Sequence, residues 1–207
     1  MSCTWPHRAG LLGSCALLAG GALSGCGASP PTRFYILNAV APAAAAPTAV
    51  PTAAAPEAAP TPVRVELPSI APEIDRAELV TRSGPNRVHV AGSERWAAPL
   101  PGQIRRVLAD DLAARLPPGL VADPEEQATS EPRRLLTIAI EEFYGDETCA
   151  VSLRASWALA RPHAVALHGS EQVPIAASAP CAGELPAAMS HALGVLADRL
   201  AQVIAAN

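Results

Sequence analysis

The sequence contains no lysine. Its fifteen basic side chains are all arginine, against nineteen acidic ones, for a formal net charge of −4 over 207 residues. That balance leaves no basic footprint for nucleic acid, and aromatic residues at 3% are too few for a base-stacking platform. The absence of lysine accompanies an abundance of alanine; both read as compositional bias and carry no function. Catalytic and cofactor signatures are missing too: there is no GxSxG, no P-loop, no GxGxxG opening a helix and no HExxH. No CxxC or HxxxH spacing accompanies the cysteines, so no zinc site is expected. His89 falls on an expected strand, where a partly exposed structural histidine is the commoner case. His163 and His168 flank a turn. His191 follows Ser190 in an expected helix, where neighbours i and i+1 point apart. Glu141 and Glu142 are adjacent on a strand and should face opposite sides, which argues against a shared acid–base pair. With no nucleophile, base and orienting group in view, the chain is expected to be non-enzymatic, with no metal and no cofactor.

A membrane-spanning run is also lacking. The uncharged stretch from Leu11 to Gly25 gives way to Gly- and Pro-rich sequence before the roughly 20 apolar residues a spanning helix needs is safely reached. A weakly basic start, an apolar core and small residues at its end make residues 1–25 a secretory signal instead. The run closes in "LSGC" (Leu23–Cys26), which resembles the lipobox of bacterial lipoproteins. A second candidate, "LGSC" at Leu12–Cys15, would leave only Leu11–Ser14 as its apolar core and "ALLAGGAL" unexplained. Cys26 is therefore the expected lipidation site. Buried acyl chains contribute about 0.8 kcal/mol per methylene, and two or more anchor stably. By the same resemblance Gly27 and Ala28, in place of an aspartate after the cysteine, point to the outer membrane.

Cys3 and Cys15 leave with the signal, so Cys149 and Cys181 remain as an even pair in an oxidising compartment. A disulfide between them would contribute roughly 3–4 kcal/mol in the chain-entropy picture. The alternative is two buried free thiols.

After the anchor, "TRFYILN" (Thr32–Asn38) can form a short strand. Residues 39–62 are rich in alanine and proline, with no large apolar groups for a core; they read as an extended tether, so that residues 26–62 form a lipidated N-terminus and linker. At about 3.1 Å per residue, such a tether spans several tens of ångströms. The globular part is expected over 63–207. Val63, Val65 and Leu67 alternate with charges as a half-buried strand that Pro68 should end. "AELVTR" and "NRVHVAG" flank "SGP" as a hairpin. From Pro101 to Leu116, Ile104, Val107, Leu108, Leu112 and Leu116 fall on one helical face, with Arg105, Arg106, Asp110 and Arg115 on others. "RRLLTIAIEEFYGD" and "CAVSLRASWALAR" alternate as strands; "HAVALHG" and "EQVPIAAS" give one more strand or a pair. Leu193, Leu196, Leu200, Val203 and Ile204 stripe a closing helix, which Asp198 and Arg199 mark as core-packing rather than membrane-active. Strands, helix, strands, helix argue an α+β fold: a mainly antiparallel sheet with two helices packed on one face.

The succession "FYIL", "VRVELPSIAPEIDRAELVTR", "NRVHVAGSERWAAPL", "QIRRVLADDLAARL" and "IEEFYGDETCAVSLRASWAL" resembles the PqiC-type ABC-transport auxiliary lipoproteins. The resemblance runs from Arg33 to the end, outside the Ala/Pro stretch. Its most specific parts surround Asp75, Arg76 and Arg82, and Arg95, Trp96, Pro99 and Leu100. It implies a subunit of a lipid transporter of the Gram-negative envelope: an inner-membrane ABC transporter, a periplasmic MCE-domain protein and this auxiliary lipoprotein at the outer membrane, facing the periplasm. It also implies self-association into a homo-oligomer. Arg76, Arg82, Arg95 and Trp96 are candidate docking residues by type; alternatively Trp96 is core and the arginines pair with Asp75, Glu78 and Glu94. From another class, the competing function is a structural or assembly lipoprotein of an outer-membrane protein complex.

Overall fold

The computed structural model describes residues 30–42, 61–123, 134–162, 164–177 and 185–207. The expected signal segment, Cys26, Cys181 and His163 lie outside the described residues. The described chain forms seven strands and two helices: β1 (Arg33–Tyr35), β2 (Val63–Ile70), β3 (Glu78–Arg82), β4 (Val88–Trp96), α1 (Leu100–Ala113), β5 (Arg134–Asp146), β6 (Val151–Arg161), β7 (Ala164–Ile175) and α2 (Leu185–Ala205). All strands join one mixed sheet in the order β1-β4-β3-β5-β6-β7, with β2 paired to β5 off that path. The long β5–β6 and β6–β7 ladders are antiparallel, which makes the sheet mostly antiparallel; β1–β4, β2–β5 and the short β3–β5 contact are parallel. The α+β fold expected from the alternation and the helical stripes is the one observed.

The long strand β5 organises the sheet. Its first half pairs with β2 and its last two residues with β3, while β6 runs along its other edge. Leu136, Ile138 and Ile140 on β5, and Val151, Leu153 and Ala155 on β6, are buried at every second position, the period that turns one sheet face to the core. Ile104, Val107, Leu108 and Leu112 of α1 and Leu193, Leu196 and Leu200 of α2 cover that face, and Phe143 and Met189 are also fully or nearly fully buried.

Two local readings change, and one open alternative is decided. Pro68 does not end β2, which continues to Ile70: the register shifts between Glu66 and Ser69, and a bulge is where a strand accommodates a residue without an N–H. "HAVALHG" and "EQVPIAAS" form one continuous strand, β7. A register shift between Ile140 and Glu142 also breaks the alternation of β5. Both carboxylates there reach a single guanidinium, with Glu141 Oε2 3.0 Å from Arg154 Nε and Glu142 Oε1 2.8 Å from Arg154 Nη2. The bulge thus brings together two side chains that a regular strand would separate.

The β5–β6 turn shows how local chemistry closes a hairpin. Asp146 Oδ1 accepts from the Thr148 hydroxyl at 2.6 Å, from Thr148 N at 2.8 Å and from Ala150 N at 3.1 Å. Those donors, the Thr148 hydroxyl first, hold the Asp146 carboxyl below the usual aspartate range. Cys149 takes a left-handed φ of 60°, as the last residue of a three-residue hairpin loop does.

Candidate functional site

The folded body begins at Thr32. Strand β1 pairs in parallel with the end of β4, with Arg33 opposite Glu94, Phe34 opposite Arg95 and Tyr35 opposite Trp96. The chain then crosses both helices as a strap. Leu37 is fully buried, its N–H donating to Gln103 Oε1 at 2.9 Å and its carbonyl accepting from Arg106 Nη2 at 3.1 Å. Asn38 N donates to Ser190 Oγ on α2 at 3.1 Å, and Val40 N donates to Asp111 Oδ1 on α1 at 2.7 Å. Arg115 closes the crossing. Its Nη1 donates to Val40 O at 3.1 Å and lies 3.3 Å from Asp111 Oδ1, while its Nε reaches Asp198 Oδ1 of α2 at 2.5 Å. Gln103, Arg106 and Asp111 of α1, and Arg115 just past its end, therefore bind the backbone of one short segment. A Cβ on Gly194 would come within 3.1 Å of Val40, so the small residue gives the strap its place on α2.

This junction is buried. The Arg115 side chain is 5% exposed and Asp111 not at all, and Asp111 Oδ2 has no hydrogen-bond partner. Burial pushes the Asp111 carboxyl above the usual aspartate range, opposed by the Val40 N–H and the Arg115 charge. Arg115, expected away from the core face of α1, is instead buried. Positions 103, 107, 111 and 115 are in fact spaced by four along one stripe, so two polar residues and an arginine occupy core positions. That pattern was the available signal for the strap's anchors.

The strap also corrects the tether. Residues 39–62 were read as the connection between Cys26 and the globular part, which was expected from residue 63. The folded unit begins at Thr32 instead. Residues up to Val40 are bonded to both helices, and the chain rejoins the same body where Arg134 Nε donates to Thr61 O at 3.0 Å and Val63 N donates to Leu120 O at 2.7 Å. The chain on either side of the Ala/Pro segment, at Val40 and at Thr61, is thus bonded to one body. Only residues 27–31 separate Cys26 from the folded unit.

The four proposed docking residues separate into different environments. Trp96 is buried in the core. Arg76 and Arg95 both face Glu78, at 3.1 Å and 3.6 Å, and the bond from Arg76 holds the Glu78 carboxyl below its usual range. Glu94 is met by Arg33, at 3.9 Å, and by the Tyr35 hydroxyl, at 3.3 Å. Arg82 stacks over the Tyr144 ring, 4.7 Å from its centroid, at the far end of β3. The Tyr144 hydroxyl donates to Glu73 Oε1 at 2.5 Å; burial, and the bond to Glu73, push the phenol up to about 12, and the same bond lowers Glu73. The structure therefore joins Arg76 and Arg95 in one surface cluster and separates Arg82 from them.

Cys149 is buried and disulfide-bonded. Among the described residues, no group of three His, Cys, Asp or Glu could hold a metal ion, and no helix is long and apolar enough to cross a membrane.

The described residues thus present a strap pinned across two helices and an arginine cluster where β3 begins and β4 ends. A family model described as "ABC-type transport auxiliary lipoprotein component" matches residues 37–205. The chain belongs to that family. The match begins at Leu37, the first fully buried residue of the strap, and takes in both helices that hold it. Two solved structures share the fold of this auxiliary component. One, a crystal structure of an uncharacterized protein, is 15% identical with a TM-score of 0.67, covering 84% of this chain and 99% of its own. The other, protein XCC0632 from Xanthomonas campestris, carries the DUF330 designation. It is 18% identical with a TM-score of 0.58, covering 81% of this chain and 92% of its own. No curated protein matches the sequence.

Proposed function

We propose that this auxiliary lipoprotein is a non-catalytic, lipid-anchored subunit of an ABC-type lipid transport system at the outer membrane, facing the periplasm. Cys26 carries the acyl chains, an MCE-domain periplasmic protein is the partner, and the subunit works as a homo-oligomer to support envelope integrity. The observation that carries this reading is the strap. This member of a transport family attaches its folded body within a few residues of the expected lipidation site, by hydrogen bonds to both helices. That is the construction of a part held at a membrane surface while its other faces meet protein. Of the candidate docking arginines, Arg82, stacked over Tyr144 at the end of β3 away from the Arg76–Glu78–Arg95 cluster, is the one offered to the partner, since arginine is enriched at interface anchors. In the same reading Cys149 pairs with Cys181.

In-cell crosslinking of the tagged full chain, then detergent purification and mass spectrometry, tests the proposal against Cys26→Ala. The expected result is an MCE-domain protein recovered with the native chain and lost with the variant. Recovery of only an outer-membrane barrel protein, or of self-crosslinks alone, would replace transport with an assembly role. Permease, ATPase and MCE genes beside this one are expected as well.

A further inference from the structure

Two large apolar side chains stand out beside the strap. Phe34 is 65% exposed and Ile36 is 51% exposed, while the alternate residues Tyr35 and Leu37 turn inward. The register explains the difference. Tyr35 lies opposite Trp96, which is buried, so Phe34, opposite Arg95, belongs to the face of the sheet away from the core. Burying Phe34 and Ile36 would be favourable, and the described body leaves them in solvent. Strand β1 is the end of the sheet order and is three residues long, too short to recruit much backbone pairing from another chain.

We propose that Phe34 and Ile36 are a second membrane contact, inserted into the lipid interface beside the acyl anchor, so that the β1 edge of the sheet faces the bilayer. The occupant is a lipid surface, and the length of the chain ahead of the strand is what selects it. Eight residues run from Cys26 to Phe34, at most about 29 Å when fully extended. A folded unit of this size is on the order of 40 Å across. An anchor on so short a lead holds the near edge of the body at the membrane and keeps the far edge, β7, away from it. Phe34 and Ile36 are the apolar side chains on the near edge. Arg33, immediately before them, keeps 70% of its side chain exposed beside Glu94, which suits a guanidinium lying along the phosphate level with its stem toward the apolar layer. The apolar pair need supply little affinity, because the acyl chains already hold the protein; its effect is to fix which way the body leans.

This inference rests on the lipid anchoring of Cys26 proposed above, and the test separates the two. The full chain is purified in detergent, its acylation read from the intact mass, and it is reconstituted into phosphatidylethanolamine–phosphatidylglycerol vesicles with brominated acyl chains. Two tryptophan variants are compared: Phe34→Trp on β1 and Val165→Trp on β7, at the opposite edge of the sheet and 85% exposed. The native tryptophans give the same background in both. The added emission of Phe34→Trp should be quenched by the brominated lipid several-fold more than that of Val165→Trp. Equal quenching at the two positions, with acylation intact, overturns the proposal and leaves the anchor standing. Shielding of Phe34→Trp from aqueous acrylamide without quenching by lipid also overturns it, assigning the patch to a second copy of the chain. An intact mass without acyl chains removes the anchoring reading and this inference together.

Discussion

Replacing Arg115 by methionine takes one guanidinium out of the strap junction and leaves its buried carboxylate behind. Methionine retains an apolar stem to fill the space, so the change is mainly electrostatic. Asp111 is fully buried, and it would keep only the Val40 N–H as a partner for Oδ1, with Oδ2 already unpartnered. Breaking a buried pair on one side costs about 3–5 kcal/mol, because the remaining charge has no compensation. The contact with Asp198 adds little, since that carboxylate is 45% exposed and water takes over its solvation. Against a typical domain stability of about 5–15 kcal/mol, the variant stays folded but much weakened.

The pH dependence has a definite sign. Burial already raises the Asp111 carboxyl, so between the unfolded and folded values the native state binds more protons than the unfolded chain. This group's contribution therefore favours the fold at low pH and is lost as pH rises through its folded value. Removing Arg115 raises that value further and widens the window, so the deficit should shrink on acidification. Urea unfolding followed by far-UV circular dichroism, at mildly acidic and at neutral pH, measures both. Adding Asp111→Asn to Arg115→Met should restore a large part of the loss, since the buried charge is then gone. A loss below about 1 kcal/mol in the single variant, a value ordinary for an exposed pair, would refute the reasoning. So would a deficit that grows as the pH falls.

Two more expectations follow from the body itself. Peptide mapping without reduction should recover Cys149 linked to Cys181, and Cys149→Ala should lower stability by roughly 3–4 kcal/mol under oxidising conditions, with little effect after reduction; a linkage of Cys149 to any other cysteine would remove the assigned pairing. Gly169 lies opposite Trp157 in the β6–β7 ladder, and a Cβ there would collide with the indole ring. Gly169→Ala should cost about 1–3 kcal/mol and shift the tryptophan emission as the ring is displaced, whereas unchanged emission and stability would mean that the ring does not rest on that glycine.

What could be read from the sequence follows the range of the interactions involved. The alternation in β2, β5 and β6, the stripe of α1 and the "SGP" hairpin are local signals, written within ten or so residues, and the structure has them where they were expected. The docking of β1 is not local. Its partner β4 lies sixty residues further on, and nothing in "RFYIL" specifies whether the strand is borrowed by a partner or paired within the chain. The Ala/Pro composition of residues 39–62 misled for the same reason: it describes a segment with no core to build, and is silent about where its ends are fixed. The strap's anchors were legible in principle. Gln103, Asp111 and Arg115 share a face with Val107, and polar groups at core positions call for a buried partner. A helix shows that a partner is needed without showing that it is the backbone of residues 37–40. The bulge near Glu141 was invisible because strand period is inferred from regular spacing, and a bulge is one residue of irregularity.

Because residues 37–40 are bonded to both helices and Thr61 is bonded to Arg134 of the same body, the position of the body relative to Cys26 is set by the chain ahead of β1 and not by the length of residues 43–60. Changing the length of residues 43–60 is therefore expected to leave the mounting of the domain unchanged. The spacing that must be kept is the handful of residues ahead of β1.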